Sequence, residues 1–343
     1  MLDFLSALLA PPIIAVDLGT ANTRVYARAS DTLTEQPSTL SMMHSTSPTV
    51  TDEYLQHTNR QLTNRPLRGG VIVDMKNAIS LLKPLLRQTR QGFLPPVSLA
   101  TAPSDTSRLE RARLQQALLQ AGAKKVCIIP EVWAAALGAG IDVDSRSAQL
   151  LVDIGDGVTD MAVFRRGRIT AATSIRVACS DLQRAVRSRM ITAHRVRISD
   201  PEAERLTNCL DALQSHLENP DACLELSALD IVQRKHRPCR VLKHELALAM
   251  EPVLDKISVT IATGLQRLPE QWRKEIGTTG ICLTGGGACI SGMSDLLAAR
   301  TGLGVRVADD PLHAVINGAI RTLELRQGER EWWANLAWPD FSA

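Results

Sequence analysis

At 343 residues the chain is too long for one compact core and divides into two domains of ordinary size. Hydrophobic residues make up 45% and charged residues 22%, which excludes a disordered chain, and a formal net charge of +3 with no basic block argues against a nucleic-acid partner. Seven dispersed cysteines without a C-x-x-C pair argue against a disulfide framework or a zinc site and indicate a reducing compartment, and no apolar run reaches the roughly 18–20 residues that span a bilayer.

In residues 1–10, Met1, Leu2, Phe4, Leu5, Leu8 and Leu9 recur at helical spacing with Asp3 and Ser6 opposite. That is a short amphipathic interfacial helix, or a segment that docks on the protein's own surface. It lacks the basic n-region of a signal peptide. After Pro11-Pro12, the apolar run Ile13–Val16 ends at Asp17-Leu18-Gly19, and Arg24–Ala27 returns, which predicts a hairpin. Residues 31–66 are polar and turn-rich, a small irregular excursion. Gly69–Asp74 reads as a short strand and Met75–Gln91 as a helix with Leu81, Leu82, Leu85 and Leu86 on one face. Strand Val97–Ala102, helix Thr106–Ala121 stopped by Gly122, strand Val126–Ile129 and a helix over Val132–Leu137 ended by Gly138 and Gly140 follow. The pattern then restarts. Gln149–Asp153 is an apolar run ending in Asp-Ile-Gly-Asp-Gly, with returning strands Thr159–Phe164 and Ile169–Ser174. Helical segments are expected over about 180–250, with the Arg-rich stretch Arg184–Arg197 as a solvated face. A long amphipathic helix covers about 243–268, and strand Ile281–Leu283 enters Thr284-Gly285-Gly286-Gly287. Two helices and strand Val305–Ala308 complete the chain to about 325. The tail holds Trp332, Trp333, Trp338 and Phe341, residues favoured at membrane and protein interfaces. Two α/β halves that each open on a strand, an Asp-x-Gly tip and a returning strand suggest a ligand held between Gly-rich tips.

Four constellations carry candidate chemistry. In Asp17–Arg24 the glycine lets backbone approach an anion, Thr20 and Asn22 can donate to phosphate oxygens, Arg24 can neutralise charge, and Asp17 suits a hydrated Mg²⁺. Asp153–Asp160 repeats the logic with Asp153, Asp156, Gly157 and Val158. Either loop alone is equally an Asx-type hairpin turn; the repetition favours a phosphate and Mg²⁺ clamp. Three glycines after Thr284 permit close approach to a base or ribose and open a helix N-terminus, or they make a tight strand–helix connection. Glu131, just past a strand and before an Ala-rich helix, can position a water for attack on a γ-phosphate, or serve as a helix N-terminal acid favoured by the macrodipole.

DLGTANT, PLRGGVIVD, ERARLQQALLQAGAKKV, the Glu131–Gly140 segment, LTGGGACISGM and VADDPLHAVINGA, in this order, resemble the actin, heat-shock chaperone and sugar-kinase superfamily, and within it the MreB family of bacterial actins. The resemblance runs from Ile13 to about Glu324. It implies an α/β fold of duplicated actin-like (ribonuclease H-like) domains flanking a nucleotide cleft: domain I over 13–146 with a small subdomain at 31–66, and domain II over 147–325 with a small subdomain at 179–243. The N-terminal segment 1–12 and the Trp-rich tail 326–343 lie outside them. Carried over position by position, Thr20, Ala21 and Asn22 face the phosphates of ATP from one side, and Asp156, Gly157 and Val158 from the other. Glu204, Arg205, Leu206 and Thr207 contact the nucleoside, and Gly286, Gly287, Ala288 and Cys289 form the adenosine loop. Glu131 is the water-positioning acid, and Asp17 and Asp153 hold Mg²⁺ through water. Asp156 and Val158 depart from the MreB form of the second loop and match that of eukaryotic actin; Arg24 stands where actin has Lys; Val132-Trp133 replaces Pro-Met; and Thr207 replaces a Lys. The resemblance further implies a filament-forming, slowly ATP-hydrolysing cytoskeletal protein serving cell shape or envelope synthesis. It would be cytoplasmic and peripheral at the inner membrane, which Met1–Ala10 and Phe93-Leu94 would contact. The alternatives are a non-polymerising nucleotide-binding scaffold and, less favoured, a small-molecule kinase.

Overall fold

The computed structural model describes residues 11–41, 63–89, 94–211 and 221–325. The expectations for Met1–Ala10, Phe93 and the Trp-rich tail fall outside these residues. Contacts divide the described residues into two units, one lying within 11–102 and 106–129 and the other within 103–105 and 130–325.

In the first unit, β1 (Ile13–Leu18), β2 (Asn22–Ala27) and β3 (Thr32–Pro37) form an antiparallel meander. The opening of the segment read as an irregular excursion is thus a third strand of the main sheet, its alternating exposure masked by polar composition. Short pairs follow: β4 (Leu40–Ser41) with β5 (Thr63–Asn64), and β6 (Leu67–Arg68) with β7 (Val71–Ile72). The latter corrects the single strand expected at Gly69–Asp74: Gly69 and Gly70 take φ of 56° and 73°, the pair of positive values that a tight two-residue hairpin turn requires. Helix α1 (Met75–Gln88) starts at Asp74, whose carboxylate accepts the Asn77 N–H at 3.0 Å, and buries Leu81, Leu82, Leu85 and Leu86 as their spacing predicts. Then come β8 (Val97–Ala102), α2 (Arg108–Ala121), capped by a Ser107–Glu110 box and ended by Gly122 at φ 116°, and β9 (Lys125–Pro130). The sheet order is β3-β2-β1-β8-β9, with β1 and β8 parallel.

The second unit opens with α3 (Glu131–Gly138) and repeats the plan: β10 (Gln149–Ile154), β11 (Thr159–Arg165) and β12 (Arg168–Ile175) form the meander. Helices α4 (Cys179–His194) and α5 (Asp200–Thr207) flank β13 (Val196–Arg197), which pairs with β14 (Cys223–Asp230), and β14 pairs with β15 (His236–Leu242). This three-stranded sheet corrects the expectation of helical segments alone over about 180–250, of which α4 and α5 are present. In β15 the side chains alternate, with Cys239 and Val241 buried and His236, Pro238, Arg240 and Leu242 exposed, the period of a half-buried strand. Next come α6 (Lys243–Gln266), α7 (Glu270–Thr279), β16 (Ile281–Thr284), α8 (Met293–Thr301), β17 (Val305–Val307) and α9 (Ala314–Leu325). The sheet order is β12-β11-β10-β16-β17, with β16 parallel to β10. The two main sheets therefore share one topology, and the duplication expected from the sequence is present strand for strand.

Helix α3 is held by α9. A Cβ at Gly138 would lie 1.8 Å from the Ala314 carbonyl oxygen, and one at Gly318 only 1.6 Å from that of Ala134, so the two backbones touch with no side chain between them. Gly138, where the helix ends as read from the sequence, is thus also a packing glycine. Trp133 adds a tilted aromatic contact to Phe164 of β11, with ring centroids 6.1 Å apart.

Candidate functional site

In each half, an aspartate occupies the next-to-last position of the first strand and takes a threonine hydroxyl from the parallel strand beside it. Thr101 Oγ1 donates to Asp17 Oδ1 at 3.4 Å, and Thr284 Oγ1 to Asp153 Oδ1 at 2.8 Å. Both aspartates are buried. This repeated pair is invisible in a linear motif, because the threonines lie 84 and 131 residues downstream.

The halves diverge one strand over. Asp17 faces Arg24, and Arg24 faces Glu35, in a row across β1, β2 and β3. Arg24 bridges Asp17 at 3.3 Å and Glu35 at 2.8 Å. Its guanidinium, expected to meet phosphate, is engaged by these two acids. Burial pushes the Asp17 carboxyl above its ordinary range, while Arg24 and the Thr101 hydroxyl pull it back. In the second half, Asp153 faces Asp160. Burial pushes Asp160 up to about 7; Ser174 Oγ and the Ser104 N–H donate to it and oppose the rise, and the neighbouring Asp153 and Asp105 add to it.

That shift has a consequence for stability. A carboxyl raised in the folded state favours folding below its unfolded value of 3.8, and this contribution is lost as pH climbs through about 7. Asp160→Asn removes the loss, so the variant gains on the parent between pH 4 and 8, by at most about 4 kcal/mol for a shift of roughly three units. Thermal melts of both proteins across that range check this; a constant difference refutes it.

The loop tips are built to expose backbone. Gly19 has no room for a side chain, since a Cβ would meet Asn22 O at 2.8 Å; Gly155 is closed by its N–H to Val158 O at 2.9 Å. Ser38 ties the first tip, donating its hydroxyl to Gly19 O at 2.6 Å and its N–H to Ala21 O at 2.8 Å, while Thr20 Oγ1 accepts the Gly70 N–H at 3.0 Å. The N–H groups of Thr20, Ala21, Gly157 and Val158 find no protein acceptor among the described residues. Each tip, taken by itself, sets N–H groups beside a buried carboxylate, donors of the kind that a phosphate oxygen takes. Asn22 begins β2, and Asp156 accepts the Ser180 N–H on its carbonyl, which anchors the start of α4 to the second tip.

Within the second unit the predicted nucleoside residues converge. Asn208, just after α5, accepts the Ser291 N–H at 2.6 Å, and Gly292 packs against Leu210 and Asp211, so Glu204–Thr207 and the glycine loop are joined. Glu204 and Arg205 are exposed; Leu206 and Thr207 are buried, and the Thr207 hydroxyl donates back to Glu204 O. The glycine triplet does not open a helix as expected. Gly286–Cys289 form one 3-10 turn, and α8 begins later, at Met293. The three glycines also differ. A Cβ on Gly285 (φ 81°) would sit 2.4 Å from Ile154 O, and one on Gly287 2.4 Å from Ile154 Cγ2. Both therefore exist to seat the loop on the end of β10. Gly286 has only Leu312 Cδ2, at 3.9 Å, near it. Leu312, which the sequence reading did not single out, is exposed beside that glycine. Gly285→Ala is expected to cost about 2 kcal/mol or more through strain and overlap, and Gly286→Ala under about 1 kcal/mol, compared by chemical denaturation. Ala288 is half-buried and Cys289 exposed. Glu131 is the first residue of α3, half-buried after Pro130.

A family model described as MreB/Mbl protein matches residues 12–330. The chain is 26% identical over 325 residues to the cell shape-determining protein MreB of Pasteurella multocida, covering 91% of this chain and 93% of the other. It is 27% identical over 316 residues to the cell shape-determining protein Mbl of Bacillus subtilis, covering 89% and 93%. Among solved structures, it is similar to MreB5 of Spiroplasma citri bound to AMPPNP (TM-score 0.79, 25% identity, 92% and 98% covered) and bound to ADP (TM-score 0.80, 26% identity, 92% and 97% covered). A MamK double helical filament shares the fold at 17% identity (TM-score 0.73, 92% and 99% covered).

Proposed function

Since the chain belongs to the MreB/Mbl family of actin-like, cell shape-determining proteins, we propose that it is an ATP-dependent cytoskeletal protein that assembles into filaments on the cytoplasmic face of the inner membrane and organises cell shape or envelope synthesis. The observation that carries the nucleotide reading is the repeated aspartate–threonine pair beside a tip of free N–H groups; MreB5 of Spiroplasma citri, bound to AMPPNP and to ADP, supports it.

In this reading the N–H groups of Thr20, Ala21, Gly157 and Val158, with the Thr20 and Asn22 side chains, bind phosphate oxygens. Asp17 and Asp153 orient the water shell of Mg²⁺, which when bound neutralises phosphate charge. Gly286–Cys289 and Leu312 receive the base, and Glu204 and Arg205 reach the ribose side. Glu131 orients the attacking water and takes its proton. Membrane contact falls to Met1–Ala10 and Phe93-Leu94. A filament multiplies the weak binding of each apolar segment.

Electron microscopy of the purified protein with Mg²⁺-ATP and anionic liposomes tests the reading. Filaments on lipid that require ATP are the expected result. Monomers at every concentration, with nucleotide bound, would replace the filament by the non-polymerising scaffold. Absence of nucleotide binding would remove the site itself.

A further inference from the structure

Residues 182–199 and 231–244 contain ten Lys and Arg and no acid. The first stretch holds most of α4 and β13; the second holds the turn after β14, then β15 and the start of α6. Distant in the chain, they meet because β13 pairs with β14: Arg197 lies opposite Leu229, and Leu229 opposite His236. The Ile231 N–H donates to Arg195 O at 3.0 Å, which sets the residue after α4 against the turn. Four of the cations, Arg184, Arg187, Arg189 and Arg237, pair with Asp181, Asp200, Glu245 and Asp230. Arg195, Arg197, Arg234 and Lys235 are exposed and have no acid partner among the described residues.

The turn between β14 and β15 presents two aliphatic side chains to solvent: Ile231 is 39% exposed and Val232 70%. The turn is closed from within. Asp230 Oδ1 accepts the Val232 and Gln233 N–H groups, each at 2.9 Å, and its Oδ2 takes Arg237 Nε at 2.9 Å. Asp230 O accepts the Arg234 N–H, and the Asp230 N–H donates to Lys235 O. Arg237 also donates to His194 O at 2.7 Å. These bonds fix the turn with Val232 outward, so no ordering cost remains to be met on binding.

Two exposed aliphatic residues flanked by unpaired cations select the partner. A stable protein interface buries about 800 Å² on each side, more than a projecting turn of five residues offers. A nucleic acid would take the cations and leave Val232 in water. An anionic bilayer takes both, since it accepts single apolar side chains at the acyl boundary and draws Lys and Arg to its headgroups. We propose that the β14–β15 turn is a lipid contact of the second unit, Ile231 and Val232 entering the bilayer surface and Arg195, Arg197, Arg234 and Lys235 meeting anionic headgroups. This contact stands on residues of the second unit alone and does not depend on the one proposed for Met1–Ala10 and Phe93-Leu94.

Amide hydrogen exchange of the full chain, without nucleotide, locates the contact on vesicles of phosphatidylglycerol and phosphatidylethanolamine. Exchange over residues 231–236 should slow by about two- to fivefold on these vesicles. It should stay at the free rate on phosphatidylcholine vesicles, and return towards it in about 0.5 M salt. Val232→Ser should weaken partition onto the anionic vesicles by about tenfold. Arg234→Asn with Lys235→Gln should weaken it by about tenfold or more; asparagine suits the φ of 54° at position 234. All three side chains are exposed, so both variants should melt with the parent. Protection confined to residues 1–10 or 93–94, with 231–236 at the free rate, overturns this contact and leaves the earlier one standing. Equal protection on phosphatidylcholine overturns the role of the cations. Polyglutamate or single-stranded DNA that protects 231–236 as strongly as the vesicles do, in the parent and in Val232→Ser alike, marks a plain polyanion site and overturns the lipid assignment. Absence of binding to any vesicle overturns both membrane contacts.

Discussion

Gly318→Ala is expected to prevent the second unit from folding to its native state. The added carbon would lie 1.6 Å from Ala134 O and 2.8 Å from Gly138 N, and both are backbone atoms that cannot rotate aside. Relief requires α9 to lift from α3, which uncovers Ala134, Ala135, Ile316 and Ala319, all fully buried. Overpacking costs about 1–3 kcal/mol where side chains can yield; here backbone must move and packing is lost as well, so the cost exceeds about 4 kcal/mol, a large part of a domain's stability of about 5–15 kcal/mol. The variant should appear in the insoluble fraction or melt far below the parent. Gly277→Ala is the control: that exposed helical glycine has no atom within 4 Å of a new Cβ, so alanine there should stabilise by about 0.5–1 kcal/mol. Equal melting of the two variants would contradict the backbone contact.

Glu131→Gln should separate binding from turnover. If the carboxylate takes a proton from the attacking water, the amide keeps its shape and loses that capacity, and hydrolysis falls by about 10²-fold or more. Nucleotide affinity should hold within a few-fold, because phosphate binding falls to the two tips. Phosphate release under single-turnover conditions, beside a fluorescent-nucleotide titration, measures both. Should Glu131 serve only the N-terminus of α3, turnover would stay at the parent level and the melting temperature would drop slightly, by a few tenths of a kcal/mol in stability.

The central strands and the two Asp/Gly tips were legible in the sequence because each is a local signal: a short apolar run, a carboxylate, a glycine. The span Val97–Ala102 matches its strand at both ends. What required register was not legible. Thr101 and Thr284 reach their aspartates only after β8 and β16 align beside β1 and β10. Asp160 gains its environment from Asp153 on one neighbouring strand and Ser174 on the other. The β14–β15 hairpin was hidden by its charge, since exposed Arg, His and Glu at every second position sit as easily on a helix surface. Why Gly285 and Gly287 must be glycine was not legible either, since it is set by how closely the loop passes Ile154.

The seam between α3 and α9 also fixes an order of events during synthesis. The strands and helices of the first unit are complete by Pro130, so they can assemble as soon as they leave the ribosome. Helix α3 emerges next and meets β11 through Trp133 and Phe164 within a few dozen residues, but its close backbone partner, Gly318, comes only 180 residues after Gly138 (318 − 138). At translation rates of about 5–20 residues per second it waits roughly ten to forty seconds with its alanine face uncovered. The last described helix is therefore the one that closes the second unit, and a ribosome stalled before it would release a chain with one finished half and one open one.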